Sequence, residues 1–219
     1  ILRFRKSPPR SRDEREKSPS KFWWQDNSGE RREAGGSGSV EDFSGREEAA
    51  LADVEEESLQ KSTVMLTDQS LDVCCHVADV SDPNSMHELA SWCQSEHGPV
   101  HLLFNNAGVA PAELLPIWET KPNDWQWAYG VNVMGVLHGI QAFVPGMLAH
   151  GEDSRVINTC SGNGAFINLP STPIYTSSKA SVSSITEVLK LQLEQAEANI
   201  KVSILFPVSY THLRAHETD

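Results

Sequence analysis

Tyr175-Thr176-Ser177-Ser178-Lys179 places a tyrosine and a lysine four residues apart, at the start of an amphipathic run that extends from Ala180 to Ala196. Apolar residues recur in that run at intervals of three and four, which predicts a helix; they are Val182, Ile185, Val188, Leu189 and Leu191. On one helix the tyrosine and the lysine share a face, one turn apart. A fixed ammonium stabilises a neighbouring phenolate, so such a hydroxyl becomes usable as an acid or a base. The spacing alone also fits a half-buried tyrosine beside a solvated lysine.

Three further motifs precede this pair. They are Asn105-Asn106-Ala107-Gly108 after the apolar run from Val100 to Phe104, Asn132 within a second helical pattern, and Ser161 just past the strand-like residues Val156 to Thr159. In this order before Tyr-x-x-x-Lys, the motifs resemble the short-chain dehydrogenase/reductase family, and the resemblance runs from about Leu51 to Pro207. It implies an α/β fold with a Rossmann-like, doubly wound parallel sheet.

The resemblance also implies a function, an NAD(P)-dependent oxidoreductase that interconverts an alcohol and a carbonyl by hydride transfer. In that family the position of Tyr175 is the general acid/base, and the position of Lys179 tunes the tyrosine and holds the nicotinamide ribose. Ser161 would hydrogen-bond the substrate oxygen, and Asn132 would complete a water relay towards the lysine. The partner would be a small-molecule alcohol or carbonyl, and the parent enzyme would be a homodimer or a homotetramer.

The expected cofactor contacts lie at the ends of the predicted strands, where open α/β sheets bind ligands. They are Asp53, Asp79, Val80, Asn105, Ala107, Gly108, Tyr175, Lys179 and Pro207. Asp53 ends the tail of a strand that begins at Ala49. A carboxylate there accepts hydrogen bonds from ribose hydroxyls and repels a 2′-phosphate, so NAD is favoured over NADP. Asp53 could instead be an ordinary cap for the following helix, and the two roles can coexist.

The first strand and the Thr-Gly-x-x-x-Gly-x-Gly turn of the family have no counterpart between residues 1 and 48. The tract from Gly35 to Gly38 is a poor substitute, because the charged segment before it cannot be a buried strand and no apolar-periodic helix follows it. We therefore expect the sheet to be incomplete, with the strands that end at Asp53 and Asn105 exposing unpaired edges. The substrate lid and the last strand of the family are also missing after Pro207.

Composition divides the chain into three parts. Residues 1–48 are rich in Ser-Pro and Gly/Ser and are predicted to be disordered or non-native; they could be a basic tail that contacts RNA or is phosphorylated, or untranslated sequence. Residues 49–207 are the partial dehydrogenase domain. Residues 208–219 resemble one reading frame of a sequencing-library adaptor and are predicted to be an artefact. A catalytically inactive fragment, or a fusion with a disordered basic tail, is therefore the alternative to an active enzyme.

Charge and cysteine content exclude other classes. Residues 1–48 carry 11 Lys and Arg against 10 Asp and Glu, whereas residues 49–219 carry 7 against 20, within a total net charge of −12. The acidic part is unsuited to binding nucleic acid. The 4 cysteines show no Cys-x-x-Cys pair and no histidines at metal spacing, so we predict no disulfide framework, no metal site and a cytoplasmic setting. We also expect no membrane helix, since no apolar run approaches the ~20 residues required.

Overall fold

A computed structural model describes residues 2–5, 23–25, 31–33, 47–69, 71–111 and 115–207. The strands are β1 (Leu2–Arg5), β2 (Trp23–Gln25), β3 (Arg31–Glu33), β4 (Glu47–Asp53), β5 (Asp72–Val77), β6 (Val100–Asn105), β7 (Ser154–Thr159) and β8 (Ile200–Leu205). The helices are α1 (Glu56–Thr67), α2 (Pro83–Glu96), α3 (Pro122–Tyr129), α4 (Gly135–His150), α5 (Gly162–Ala165) and α6 (Pro173–Gln195). The predicted tail beyond residue 207 and the glycine tract at residues 35–38 lie outside the described residues.

Six strands form one sheet in the order β5-β4-β1-β6-β7-β8, and β2 and β3 form a separate antiparallel pair. β4 pairs with β5, β6 with β7, and β7 with β8, all in parallel. The parallel strands follow one another outward from the middle of the sheet in both directions, β4 and β5 on one side and β6, β7 and β8 on the other. Doubly wound α/β folds have this arrangement. The predicted fold class is confirmed.

The middle of the sheet differs from the expectation of unpaired edges. β1 lies between β4 and β6 and is antiparallel to both; Leu2 is paired with Ala50 on one side and with Leu103 on the other. Antiparallel pairing needs only extended backbone with its N–H and C=O groups, so a segment without the family's motif can cover both edges. The expectation that these two edges are unpaired is wrong for the described structure.

The buried core lies between the sheet and the helices that cover it. Strands contribute Ala50, Leu103 and Val156, and helices contribute Leu89, Met147 and Leu189. β6 is buried along almost its whole length, as expected for a parallel strand covered on both faces. Because residues leaving the carboxyl ends of the parallel strands emerge at one edge, this packing gathers the predicted site residues at that edge.

α3, a π-helical turn (Gly130–Met134) and α4 form a continuous helical run from Pro122 to His150. Over the described residues this run is the one helix whose length and apolar character would suffice to cross a membrane, and 44% of its most apolar window is buried in the protein. The expectation that no apolar helix reaches this length was therefore too strong. The run packs against β6 and α2, so its apolar stripe serves the core of the domain.

Candidate active site

Lys179 lies in the interior of α6, and only 3% of its surface is exposed. Its Nζ donates a hydrogen bond to the carbonyl oxygen of Thr159 over 3.0 Å, at the end of β7. The same atom lies 5.7 Å from the ring centroid of Tyr175. Burial lowers the pKa of Lys179 below its ordinary value of 10.5, and the neighbouring Cys160 thiol opposes that change. The predicted pairing of Tyr175 with Lys179 on one helical face is present.

Asn132 is fully buried within the π-helical turn. Its Oδ1 accepts a hydrogen bond from the backbone N–H of Val109 over 2.7 Å, and its Nδ2 donates to the carbonyl oxygen of Val109 over 2.9 Å. Nδ2 also donates to Ser178 Oγ over 2.9 Å, and that hydroxyl donates to the carbonyl oxygen of Tyr175 over 2.8 Å. A single amide thus joins the segment after β6 to the helix that carries the tyrosine and the lysine. π-turns are frequent at functional sites.

Gly108 brings these two groups into one place. A Cβ added at this position would lie 3.2 Å from Lys179 Nζ and 3.4 Å from Asn132 Oδ1. The ammonium and the amide oxygen therefore both border the backbone of Gly108. A side chain here would fit tightly, because the buried ammonium or the buried amide would have to shift by a few tenths of an ångström.

Ser161 lies at the carboxyl end of β7, as predicted, directly after a buried cysteine. The Sγ of Cys160 donates to the carbonyl oxygen of Lys179 over 3.1 Å, which fixes the strand end against α6. Burial raises the pKa of the Cys160 thiol. Ser161 Oγ accepts a hydrogen bond from the backbone N–H of Asn163 over 3.2 Å. In the described part of the chain, the side chains of Ser161, Asp53 and Asp79 form no hydrogen bond with Tyr175 or Lys179.

The loop between Ser161 and Tyr175 is held by a residue that the sequence analysis missed. Asn163 Nδ2 donates to Thr172 Oγ1, and its Oδ1 accepts from Thr176 Oγ1, both over 2.8 Å. Gly164 follows with a φ of 100° and packs directly on the backbone of α6, where a Cβ would meet the carbonyl oxygen of Thr176. The Gly-Asn-Gly sequence was the available signal, because consecutive turn residues after a strand favour such a fixed loop.

The remaining predicted cofactor contacts follow the carboxyl ends of four strands. Asp53 ends β4, and its Oδ1 accepts a hydrogen bond from the backbone N–H of Glu55 over 2.9 Å. The N-cap of α1 is Glu55, so Asp53 is not the cap of that helix. Asp79 accepts from both the backbone N–H and the hydroxyl of Ser81. The other contacts lie after β5 (Val80), at the end of β6 (Asn105, Ala107 and Gly108) and after β8 (Pro207).

Asn105 has a structural role at this edge. Its Nδ2 donates to Asn158 Oδ1 over 2.8 Å, and Asn158 Nδ2 donates to Thr186 Oγ1 over 3.0 Å. Next to this chain, the hydroxyl of Thr159 donates to Asn106 Oδ1 over 2.9 Å. These bonds tie β6, β7 and α6 together beneath the Lys179 ammonium.

The residues at this edge of the sheet suit the two riboses of a dinucleotide better than they suit its pyrophosphate. The buried ammonium, the bare Gly108 and the carboxylate of Asp53 at a strand end have the chemistry for a nicotinamide ribose and an adenosine ribose. The pyrophosphate requires backbone N–H groups at a helix N-terminus. β1 runs antiparallel to its neighbours, so its last residue, Arg5, is paired with Glu47 at the amino end of β4. The described residues therefore offer no phosphate turn beside Asp53.

The chain is similar to known proteins both in sequence and in fold. A family model described as short chain dehydrogenase matches residues 44–217. A CLA biosynthesis dehydrogenase/reductase of Lactiplantibacillus plantarum is 28% identical over 159 residues, which are 72% of this chain and 54% of the relative. A solved short chain dehydrogenase/reductase from Burkholderia phymatum, in complex with NAD, is 40% identical with a TM-score of 0.67 and covers 71% of this chain and 54% of its own.

A metagenomic short-chain oxidoreductase solved with NADP is 25% identical, with a TM-score of 0.66 over 73% of this chain and 70% of its own. The chain spans about half of the length of the curated relative named above and of others like it. Its four cysteines are free.

Proposed function

The chain belongs to the short-chain dehydrogenase family, and we propose on that premise that its parent enzyme interconverts an alcohol and a carbonyl with a nicotinamide cofactor. The observation that carries this proposal is the buried Lys179 ammonium beside the Tyr175 ring. Both this ammonium and Asn132 Oδ1 border the backbone of Gly108. A buried charge is costly and is retained where it has a partner or a task. Here the ammonium has one backbone acceptor and an aromatic ring as neighbours.

Tyr175 is the general acid/base in this proposal. Its hydroxyl gives a proton to the carbonyl oxygen in reduction and takes it back in oxidation, a contribution worth about 10²–10⁴-fold in rate. Lys179 stabilises the phenolate by its charge and also binds the ribose hydroxyls. Nicotinamide, bound at this edge, supplies or accepts the hydride.

Ser161 and Asn132 have supporting roles. Ser161, at the end of β7, donates a hydrogen bond to the substrate oxygen where negative charge develops. Asn132 positions the segment after β6 and holds a water that completes the relay from Lys179 towards solvent. The fixed loop from Asn163 to Thr172 supports this assignment, because it holds Ser161 and α6 in one arrangement.

The cofactor is proposed to be NAD rather than NADP because Asp53 ends β4. The solved relatives named above were obtained with NAD in one case and NADP in the other. The substrate is a small alcohol or carbonyl, and the parent enzyme is proposed to be a homodimer or a homotetramer in the cytoplasm.

A chimaera tests this function. Residues 49–207 would be joined to the first strand, glycine turn and C-terminal segment of the Burkholderia phymatum relative. We expect NADH formation with at least some members of a panel of secondary alcohols. A folded chimaera that binds NADH but oxidises none of them and reduces none of the matching ketones would contradict the proposal.

A second function, that of an inactive fragment, is favoured for the 219-residue chain by the antiparallel β1. We expect this chain not to bind NAD(H) tightly, because no phosphate turn lies beside Asp53 among the described residues. Titration of NADH fluorescence with the 219-residue chain measures this. Saturable binding in the micromolar range would contradict it and would implicate the tract at residues 35–38.

A further inference from the structure

Three ligating side chains converge on the face of the sheet covered by α2, towards the amino ends of β4 and β5. They are Glu48 of β4, Cys74 of β5 and His97, which directly follows α2. A carboxylate oxygen, a thiol sulfur and an imidazole nitrogen from them lie within 4.8 Å of one another. The site proposed for catalysis lies at the carboxyl ends of the same strands, so this cluster is separate from it.

The imidazole of His97 has a different neighbour at each nitrogen. Nδ1 lies 3.0 Å from Glu48 Oε1, and Nε2 lies 3.5 Å from Cys74 Sγ. A nitrogen that faces a carboxylate carries the proton and donates it, so in the neutral ring the lone pair of Nε2 is directed at Cys74. This carboxylate–imidazole arrangement is the one that orients histidine ligands of metal ions in proteins.

The separation of the two remaining donors is that of a zinc ligand pair. With a Zn–S bond of about 2.3 Å and a Zn–N bond of about 2.0 Å at the tetrahedral angle, sulfur and nitrogen lie about 3.5 Å apart. The observed separation of Cys74 Sγ from His97 Nε2 is 3.5 Å. An ion can therefore replace the shared proton without requiring the two side chains to move apart.

We propose that Cys74 and His97 form a zinc-binding site in which Glu48 orients the imidazole. The thiol loses its proton to solvent and the resulting thiolate binds the ion, so one proton is released for each Zn²⁺ bound. Water completes the coordination, because Cys74 and His97 are only partly buried and β5 is an edge strand.

The ring of His97 is further fixed by an aromatic neighbour. Trp92, on the last turns of α2, makes a T-shaped contact with His97 with 4.7 Å between the ring centroids, and the centroid of the His76 ring lies 4.8 Å from that of Trp92. A ring that is held by a hydrogen bond to Glu48 and by contact with Trp92 loses little freedom when it binds an ion. Trp92 also gives the site a fluorescent reporter.

The order Cys–His–Glu is also that of a nucleophile, its base and an orienting carboxylate. A nucleophilic cysteine needs a lowered pKa and an electropositive setting. Burial raises the pKa of Cys74 to about 11, and the charge of Glu48 adds to that rise. The surroundings therefore disfavour a free thiolate, which argues against a reactive nucleophile.

The test uses Co²⁺ as a spectroscopic substitute for zinc with the complete 219-residue chain. We expect one equivalent to bind with a thiolate-to-metal charge-transfer band, and added Zn²⁺ to remove that band. Cys74→Ser should abolish the band, and His97→Gln, which removes the second ligand, should abolish saturable binding. Glu48→Gln, which removes only the orienting carboxylate, should weaken binding by about 10–100-fold. Cys75→Ser is the matched control, since the neighbouring residue of a strand faces the other side of the sheet.

Two further measurements distinguish loss of the metal site from loss of folding. Circular dichroism of each metal-free variant shows whether it is folded, and Zn²⁺ should raise the Tm of the wild type and of Cys75→Ser but not that of Cys74→Ser. The proposal is overturned if the folded wild type shows no saturable charge-transfer band, or if the band survives in Cys74→Ser. Either result is independent of whether the parent protein is a dehydrogenase.

Discussion

Lys179 Nζ donates a hydrogen bond to the carbonyl oxygen of Thr159 over 3.0 Å, and this contact fixes the buried ammonium at the end of β7. The strand end is also held by Cys160, whose thiol donates to the carbonyl oxygen of Lys179. Two bonds of opposite direction therefore join one residue of α6 to two consecutive residues of the sheet. The position of the lysine is determined by the fold itself, before any ligand is bound.

Removal of the Lys179 charge should abolish activity without lowering the stability of the folded protein at pH 7. Burial lowers its pKa, so the folded state binds fewer protons than the unfolded state between the lowered value and the ordinary 10.5. Stability from this group therefore rises with pH across that window and is lowest below it. Lys179→Met should lack this rise and should be at least as stable as the wild type at pH 7.

Thermal unfolding of the 219-residue chain between pH 7 and pH 10 measures this effect. Lys190→Met, an exposed lysine on the same helix, is the control and should retain the pH dependence of the wild type. A Lys179→Met variant whose unfolding depends on pH as the wild type does would contradict the account. In the chimaera, the same substitution should abolish turnover.

Alanine substitutions at Gly164 and Gly146 should change the free energy of unfolding in opposite directions. Gly164 has a φ of 100°, and a Cβ there would meet the backbone of α6, so Gly164→Ala should destabilise the protein by more than 1 kcal/mol, roughly the scale of such backbone conflicts. Gly146 lies within α4, and a Cβ there would have no neighbour within 4 Å. Gly146→Ala should stabilise the protein by about 0.5–1 kcal/mol.

Urea unfolding of the two variants and the wild type measures both changes. Equal effects of the two substitutions would show that the loop after Ser161 is not packed on α6 as described. If Gly164→Ala is destabilising, we also expect it to lower turnover in the chimaera, because Ser161 and Asn163 lie on the same loop.

Cofactor preference should depend on Asp53. Its carboxylate is exposed at the end of β4 and accepts one hydrogen bond, from the N–H of Glu55. In the chimaera, Asp53→Ala should relax the preference for NADH over NADPH, and Asp53→Arg should invert it, since a cation attracts the 2′-phosphate. Glu55→Ala is the control and should keep the preference. Comparable kcat/KM for NADH and NADPH in the unsubstituted chimaera would sink this assignment.

The parallel part of the fold could be predicted from the sequence because each strand is a short apolar run followed by polar or small residues. The apolar runs ending at Phe104 and Thr159, and the period of three and four after Tyr175, predicted the right elements with ends within about two residues of those observed. The antiparallel β1 could not be predicted, since its pairing depends on backbone groups that every residue has. Of the motif residues predicted to lie near one another, Tyr175, Lys179 and Asn132 do so.

Other parts of the site depend on tertiary contacts that leave no periodic signal. The π-turn that aims Asn132 at Val109 comes from one extra residue in a helical turn, which a pattern of apolar residues does not reveal. The Asn163 contacts with Thr172 and Thr176 depend on a folded loop. The cluster of Cys74 and His97 joins residues 23 positions apart, so no short metal-binding spacing announced it.

The most direct test of the central claim is the turnover of the chimaera with Tyr175→Phe. Steady-state NADH formation with the best secondary alcohol gives kcat, and NADH fluorescence gives the dissociation constant. The account predicts a loss of kcat of about 10²-fold or more, with NADH affinity unchanged within a few fold, because only the hydroxyl transfers the proton. A variant that keeps more than about a tenth of the kcat would show that Tyr175 is not the general acid/base, since that role is worth at least ~10².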